Sequence, residues 1–234
     1  MASSALFGYK LAALLSRKLP RRIGLGVASF LGHTVARVDK KRRDQVIRNA
    51  NRLSDSKLSR KELNDFVDQT FESYAHYWLN TFRLVDMTKQ ELERTFSHDG
   101  WELIETAIKK DSGVILVTPH LGAWDWGGLW ISKIKGVSVS AVVEPLEPPE
   151  LFEWFKRGRN ALGMDIIPVG TDAGSQVLKA ISDKRLVVLV SDRDVGGSSV
   201  EVEFFGEKTS LPAGPATLAL RTGATVLPVA IYNK

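Results

Sequence analysis

The sequence predicts an α/β protein in which a mostly parallel central sheet is flanked by helices and preceded by a basic, helical N-terminal region. Two observations support this class. Up to about residue 110, apolar residues recur every three or four positions, the period of an amphipathic helix. Beyond that point, short β-branched runs alternate with helical segments, and strands separated by helices normally form a parallel sheet with right-handed crossovers.

The first fifth of the chain is strongly basic, and the whole chain carries a net charge of +5. Asp39 and Asp44 are the only acids among its first 48 residues. Two apolar stretches, Ala5 to Leu15 and Ile23 to Leu31, are each shorter than the roughly 20 residues that a spanning helix needs. Apolar stretches flanked by Lys and Arg favour a peripheral anchor on an anionic membrane surface. The alternative is a solvated basic face over an ordinary helical core.

The next helical pattern carries an apolar and aromatic stripe, which is typical of core packing. Its members are Leu63, Phe66, Val67, Phe71, Tyr74, Trp78 and Phe82. The strand pattern begins after Ser112 and Gly113. The predicted strands are Val114 to Thr118, Val137 to Val143, Asp165 to Pro168, Leu186 to Ser191 and Thr225 to Tyr232. We predict one domain over residues 1–234, with a helical region at 1–110 and an α/β catalytic core at 111–234.

Composition excludes several classes of function. The chain has no cysteine, which removes disulfides, thiolate nucleophiles and cysteine metal ligands. Three of its four histidines, His33, His76 and His98, lack partners at metal-ligand spacing, so no metal is predicted. No Gly-x-Ser-x-Gly elbow supplies an acyl-enzyme nucleophile, and no helix-turn-helix or zinc finger indicates nucleic acid as a partner.

The fourth histidine, His120, follows the first predicted strand, and ligands of such sheets bind beyond the carboxyl ends of the strands. Asp125 comes five residues later, in the first turn of the next predicted helix. Residues five apart on one helix differ by about 140°, so we expect His120 to lie in the turn, from which Asp125 reaches its imidazole. A neutral histidine held by a carboxylate suits deprotonation of an alcohol. The spacing alone is common by chance.

The run VILVTPHLGAWDWGG, with His120 and Asp125 in a His-x4-Asp motif, resembles the bacterial lipid A biosynthesis acyltransferase family of the glycerolipid acyltransferase superfamily. Three further stretches agree in order and spacing. They are VVEPLEPPELFEWFKRGRNALGMDIIP, LVVLVSDRD and VEVEFFGEKTSLPAGPATLALRTGATVLPVAIY. The aspartate at the fifth position after the histidine favours the actinobacterial members of the family, which acylate phosphatidylinositol mannosides.

The resemblance implies a catalytic dyad of His120 and Asp125, with acyl-CoA as co-substrate and no other cofactor. It also implies that a set of charged residues lies near the substrate groove. They are Glu144, Arg159, Asp192, Arg193 and Asp194. Whether Asp192 or Asp194 matches the family's acid stays open. The structural alternative for Arg159 is an ion pair with Glu153 or Asp165. For Glu144 it is a helix-entry turn, and for Asp192 or Asp194 it is an ion pair with Arg193.

The predicted function is the transfer of a long, palmitoyl-like chain to a mannose hydroxyl of phosphatidylinositol mannoside, with His120 as general base. The predicted partners are acyl-CoA, a glycolipid acceptor and an anionic membrane surface, and the predicted location is peripheral, at the cytoplasmic face of the plasma (inner) membrane. Two alternatives remain: a lipid A type acyltransferase, and a non-catalytic peripheral protein that binds anionic lipid. Because members of the family continue beyond the position that matches Lys234, we also expect this chain to be a C-terminally incomplete catalytic core.

Overall fold

The computed structural model describes residues 2–54, 56–194, 197 and 199–232, and it confirms the α/β class with N-terminal helices. The helices are α1 (Ala2–Lys18), α2 (Arg21–Val38), α3 (Lys40–Leu53), α4 (Arg60–Arg83), α5 (Lys89–Thr95), α6 (Trp101–Lys109), α7 (Trp124–Lys133), α8 (Pro149–Ala161), α9 (Ala173–Ser182) and α10 (Gly214–Thr222). A 3₁₀ turn spans Leu84–Asp86. The strands are β1 (Val114–Thr118), β2 (Val139–Val143), β3 (Met164–Pro168), β4 (Leu186–Val190), β5 (Ser199–Phe204), β6 (Glu207–Pro212) and β7 (Thr225–Pro228).

The predicted strand runs all lie in one sheet, in the order β3-β2-β4-β1-β7, and every neighbouring pair is parallel. Leu116 in the middle of β1 lies beside Val188 of β4 on one side and Leu227 of β7 on the other. The last strand is shorter than predicted, because it ends at Pro228 and not at Tyr232. The parallel sheet is therefore confirmed.

Both faces of the sheet are covered, which explains why its strands are almost wholly apolar. Side chains alternate across a strand, so Val114 and Leu116 of β1 face one core while Ile115 faces the other. Helices α5 to α8 pack on the first face, with contributions from Leu92, Trp101, Trp130 and Phe152. Helices α9 and α10 cover the second face, through residues such as Val177, Ile181 and Leu218.

Contacts between residues divide the chain into two compact units. The first contains the sheet and comprises Met1–Gly8, Leu84–Phe204 and Lys208–Lys234, and the second comprises Tyr9–Arg83 and Phe205–Glu207. The boundary between the two units lies at residue 84, whereas the helical period of the sequence ends at about residue 110. The reason is that α5 and α6 are helical but bury Leu92, Trp101 and Ile104 in the core of the sheet unit. A single domain over residues 1–234 stays a prediction.

Strands β5 and β6 form a separate two-stranded sheet that the sequence did not predict. Gly206 lies in the turn between them with a φ of 72°, a left-handed conformation that glycine adopts readily. The residues of both strands are exposed or half-buried. In β5, Val200, Val202 and Phe204 alternate with glutamates, but neither strand is a continuous apolar run like those of the central sheet.

Helix α2 buries its smallest side chains and exposes its largest. Every fourth residue is small and buried, namely Gly24, Ala28, Gly32 and Ala36. This spacing places the small residues on one helical face, and a Cβ on Gly32 would lie 2.8 Å from the carbonyl oxygen of Phe71 on α4. The large apolar residues are turned outward, with Phe30 70% exposed, Leu31 54% and Ile23 53%. This inverted pattern differs from that of an ordinary surface helix, whose large apolar residues face the core.

Polar contacts join α2 to α4 beside the small-residue face. The Ser29 hydroxyl donates to Oε1 of Glu72 at 2.5 Å, and this hydrogen bond lowers the pKa of the Glu72 carboxyl from its ordinary value. His76 Nε2 lies 2.9 Å from the Ser29 Oγ. At the end of α4, Arg83 donates to the carbonyl oxygens of Ser16 and Leu19 at 2.6 and 2.7 Å. Across the described residues, no helix is both long and apolar enough to cross a membrane.

Candidate active site

The site lies where neighbouring strands of the sheet lead to opposite faces. β1 continues into α7, which packs on one face, and its neighbour β4 leads through β5 and β6 to α10 on the other face. Connections that diverge in this way leave a crevice at the carboxyl ends of the two strands, where α/β proteins bind their ligands. His120 follows β1 and Asp192 follows β4, so both residues lie at this crevice.

Asp192 holds His120 through two hydrogen bonds. The backbone N–H of His120 donates to Oδ2 of Asp192 at 3.0 Å, and the imidazole Nδ1 lies 2.8 Å from Oδ1. An ionised carboxylate only accepts hydrogen bonds, so Nδ1 carries the proton and Nε2 has its lone pair available. Nε2 makes no hydrogen bond to the part of the chain that the structure describes, and the side chain is 54% exposed. A histidine held in this way has a fixed tautomer and can accept a proton at Nε2.

The turn that carries His120 depends on Gly122. The φ of Gly122 is 59°, a left-handed conformation that side-chain-bearing residues rarely adopt. A Cβ at this position would also collide with the backbone carbonyl of Ile231. The chain between β1 and α7 can therefore bend tightly against the segment after β7, which keeps His120 in the turn and outside the helix, as predicted.

Asp125 forms a buried ion pair with Arg159. Its carboxylate is 1% exposed and accepts from Arg159 Nε at 2.8 Å and from Nη2 at 3.3 Å. The guanidinium is 15% exposed and lies over the ring of Trp124, 4.8 Å from its centroid, and 5.7 Å from that of Phe155. The alternative pairing of Arg159 with Glu153 or Asp165 is thus not the arrangement found. Asp125 joins α7 to α8, and its predicted role in orienting His120 stays a prediction.

The other predicted site residues also lie at the carboxyl edge of the sheet. Arg193, after β4, forms an ion pair with Glu144, after β2. Asp194 accepts from the backbone N–H of Gly197 at 3.0 Å. The acids of the SDRD segment therefore differ in their contacts, because Asp192 holds the histidine and Asp194 supports its own loop. Their roles in binding substrate stay predictions.

Sequence reasoning missed the pairing of His120 with Asp192, whose residues are 72 positions apart. It also missed Trp124, whose ring underlies Arg159; the only sequence signal was its position beside Asp125. Within the described ranges, no group of three or more His, Asp or Glu side chains is arranged to hold a metal ion.

Comparison with known proteins agrees with these motifs. Residues 5–234 match the family model described as bacterial lipid A biosynthesis acyltransferase. A phosphatidylinositol mannoside acyltransferase of Mycolicibacterium smegmatis (strain ATCC 700084 / mc(2)155) is 33% identical over 225 residues, which is 95% of this chain and 73% of the relative. The protein of the same name from Mycobacterium tuberculosis (strain CDC 1551 / Oshkosh) is 37% identical over 164 residues, which is 68% of this chain.

The match spans about half the length of the M. tuberculosis relative, 52% of it. The protein of strain ATCC 25618 / H37Rv, which has the same name, is 36% identical over the same shares of both chains. The family model covers nearly the whole chain, including the His-x4-Asp motif and the SDRD segment. The chain belongs to the bacterial lipid A biosynthesis acyltransferase family.

Proposed function

We propose that this chain transfers a long, palmitoyl-like acyl group from acyl-CoA to a mannose hydroxyl of phosphatidylinositol mannoside. The observation that carries the proposal is the exposed imidazole of His120, held by Asp192 with Nε2 available as a base. Support for the acceptor comes from the relatives, which are named phosphatidylinositol mannoside acyltransferases. The reaction needs no cofactor besides acyl-CoA as co-substrate.

In the proposed reaction, Nε2 of His120 takes the proton of the acceptor hydroxyl, and the resulting oxygen nucleophile attacks the thioester carbonyl carbon. The imidazolium is stabilised by the Asp192 carboxylate, which stays ionised. When the tetrahedral intermediate collapses, the carbon–sulfur bond breaks and the imidazolium returns its proton to the CoA thiolate. The products are the acylated acceptor and free CoA. This direct transfer requires no acyl-enzyme.

The buried pair of Asp125 and Arg159 supports a scaffold role in this reaction. Arg159 uses two of its donors on Asp125 and stacks on Trp124, so the pair fixes the start of α7 against α8. The turn with His120 leads directly into the start of α7. We propose that Asp125 acts on catalysis through this helix start, while Asp192 orients the imidazole.

The substrate assignment is tested by release of CoA thiol from palmitoyl-CoA, with and without mannosylated phosphatidylinositol. We expect release that depends on the acceptor, because His120 needs a hydroxyl proton to remove. The matched comparison replaces the acceptor with an acylated disaccharide of the lipid A type. The His120→Ala variant serves as the blank, since it lacks the base and we expect it to keep the fold, the side chain being 54% exposed.

Release with the disaccharide but not with the mannoside would transfer the assignment to the lipid A type of reaction. Absence of release with either acceptor would favour the non-catalytic lipid-binding alternative. In that case His120→Ala would leave every activity of the chain unchanged, including its binding to anionic vesicles.

We also propose that the chain attaches peripherally to an anionic membrane surface, at the cytoplasmic face of the plasma membrane. The outward face of α2 supports this, because Phe30, Leu31 and Ile23 are more than half exposed while the small residues are buried. Exposed Arg21 and Arg22 lie at the start of the same helix. Apolar side chains flanked by basic residues fit the boundary between lipid headgroups and acyl chains.

Replacing Phe30 and Leu31 together by glutamine should weaken binding to vesicles that contain anionic phospholipid. An inserted apolar side chain of this size contributes about 1.5 kcal/mol or more, so each change should cost about tenfold in partition coefficient. Sedimentation with vesicles measures the effect. Leu103→Gln is the matched control, since Leu103 is 60% exposed on α6. Equal losses of vesicle binding in the double Gln variant and in Leu103→Gln would contradict attachment through α2.

A further inference from the structure

The segment that carries Asp192 lies beyond the last backbone contact between β4 and β1. The N–H of Ser191 donates to the carbonyl of Thr118 at 2.9 Å. The next three residues make contacts through their side chains. Asp192 binds His120, Arg193 pairs with Glu144, and Asp194 accepts from the N–H of Gly197.

Two of these contacts run in opposite directions across the sheet. β4 lies between β1 and β2 in the sheet order. Asp192 reaches the turn after β1, and Arg193 reaches Glu144 at the end of β2. The end of β4 is thereby tied to both of its neighbours, through one residue each.

We propose that Glu144 and Arg193 are positioning residues, whose ion pair across the ends of β2 and β4 holds Asp192 in place and so orients His120. This inference deepens the proposed acyl transfer and rests on it. In the sequence both residues were candidates for substrate binding. In the folded chain each is the ion-pair partner of the other, and the chain link from Arg193 to Asp192 is a single peptide bond.

The expected effect of losing this ion pair on kcat follows from the exposed fractions of the two side chains. The Arg193 and Glu144 side chains are 61% and 49% exposed, and ion pairs in such surroundings are weak. Loss of the pair should therefore lower kcat by about three- to fivefold, far less than loss of the base. KM for the thioester and for the acceptor should change less than twofold, because the pair acts through Asp192 and does not contact the substrate.

The test measures kcat and both KM values for Arg193→Gln, Glu144→Gln, the double Gln variant and the charge exchange Glu144→Lys with Arg193→Glu. We expect equal losses in both single variants and no further loss in the double variant, as for two residues of one interaction. The charge exchange should restore kcat to within about twofold of the parent chain. Lys179→Gln breaks the exposed pair with Asp183 on α9 and is the matched control, with no expected effect.

A second readout does not depend on turnover. The Nδ1 proton of His120, held by Asp192, should give a downfield proton NMR signal in the parent chain and in Lys179→Gln. It should broaden in both single Gln variants and return in the charge exchange. An unchanged signal in Arg193→Gln and Glu144→Gln overturns the inference, whether or not the chain transfers acyl groups.

The kinetic outcomes separate the two proposals. A parent chain that releases CoA, with single variants that keep kcat but raise KM for the acceptor, overturns the positioning role in favour of direct substrate contact. Unchanged kcat and KM in the single variants overturn it as well. A parent chain without turnover overturns the acyl transfer and the kinetic role of the pair, and the NMR signal then decides whether the pair orients His120.

Discussion

Replacing His120 by alanine should lower acceptor-dependent kcat by about 10²- to 10⁴-fold, the range that a positioned general base contributes. Asp192→Asn should lower it by about 10²-fold or more, although the side chain keeps its shape. The asparagine amide can donate to Nδ1, which places the imidazole proton on Nε2 and removes the lone pair that accepts the hydroxyl proton. Steady-state CoA release at saturating substrates measures both effects.

Asp194→Asn is the matched control for Asp192→Asn, because both aspartates lie in the same segment and Asp194 contacts the N–H of Gly197. We expect a much smaller loss of kcat in this variant. Thermal unfolding should be nearly unchanged in His120→Ala, since the imidazole is 54% exposed. If Asp194→Asn abolished turnover while Asp192→Asn preserved it, Asp194 would be the partner of the base and our assignment would be wrong.

The central strands of the sheet were predictable from the sequence because they are buried on both faces and consist of continuous apolar runs. Val114 to Thr118 and Leu186 to Val190 show this pattern. Strands β5 and β6 were not predicted, because their residues are exposed or half-buried and neither strand is a continuous apolar run, although Val200, Val202 and Phe204 alternate with glutamates in β5. Burial, and not strand formation itself, produced the signal.

The position of the candidate residues at the carboxyl edge of the sheet was also predictable, whereas the contacts between them were not. The strand ends located His120, Glu144 and the SDRD segment at one edge of the sheet. Spacing along the chain suggested Asp125 as the partner of His120, but which way a first-turn residue of α7 points depends on the packing of α8. Arg159, 34 residues away, binds the Asp125 carboxylate, and no local pattern reveals such a contact.

Helix α2 has one feature that was predicted from its sequence and one that was not. Ile23 to Leu31 was recognised as an apolar stretch, which supported a membrane anchor. The face that packs on α4 was not recognised, because its signal is a series of small residues at every fourth position, from Gly24 to Ala36. The small residues allow close approach of the helices and leave the large apolar side chains facing outward.

Asp125→Asn should destabilise the chain by about 3 kcal/mol, because it leaves the Arg159 guanidinium mostly buried without its charged partner. Arg159 is 15% exposed and Asp125 1%, so water screens neither well. For a chain of this size the loss corresponds to a decrease in Tm of about 6–12 °C. Thermal unfolding followed by circular dichroism measures it. Asp165→Asn is the control, since its carboxylate is 54% exposed and lies 4.0 Å from Arg185, and we expect almost no change.

Activity measured well below the Tm of the variant distinguishes a scaffold role of Asp125 from a role in orienting His120. If Asp125 stabilises the helix start, folded Asp125→Asn should keep kcat within about tenfold of the parent chain, against 10²-fold or more for loss of an orienting carboxylate. Replacing both partners by apolar residues, Asp125→Leu with Arg159→Met, should recover part of the stability, because no buried charge is left unpaired. An unchanged Tm together with a 10²-fold lower kcat in Asp125→Asn would instead identify Asp125 as the residue that orients His120.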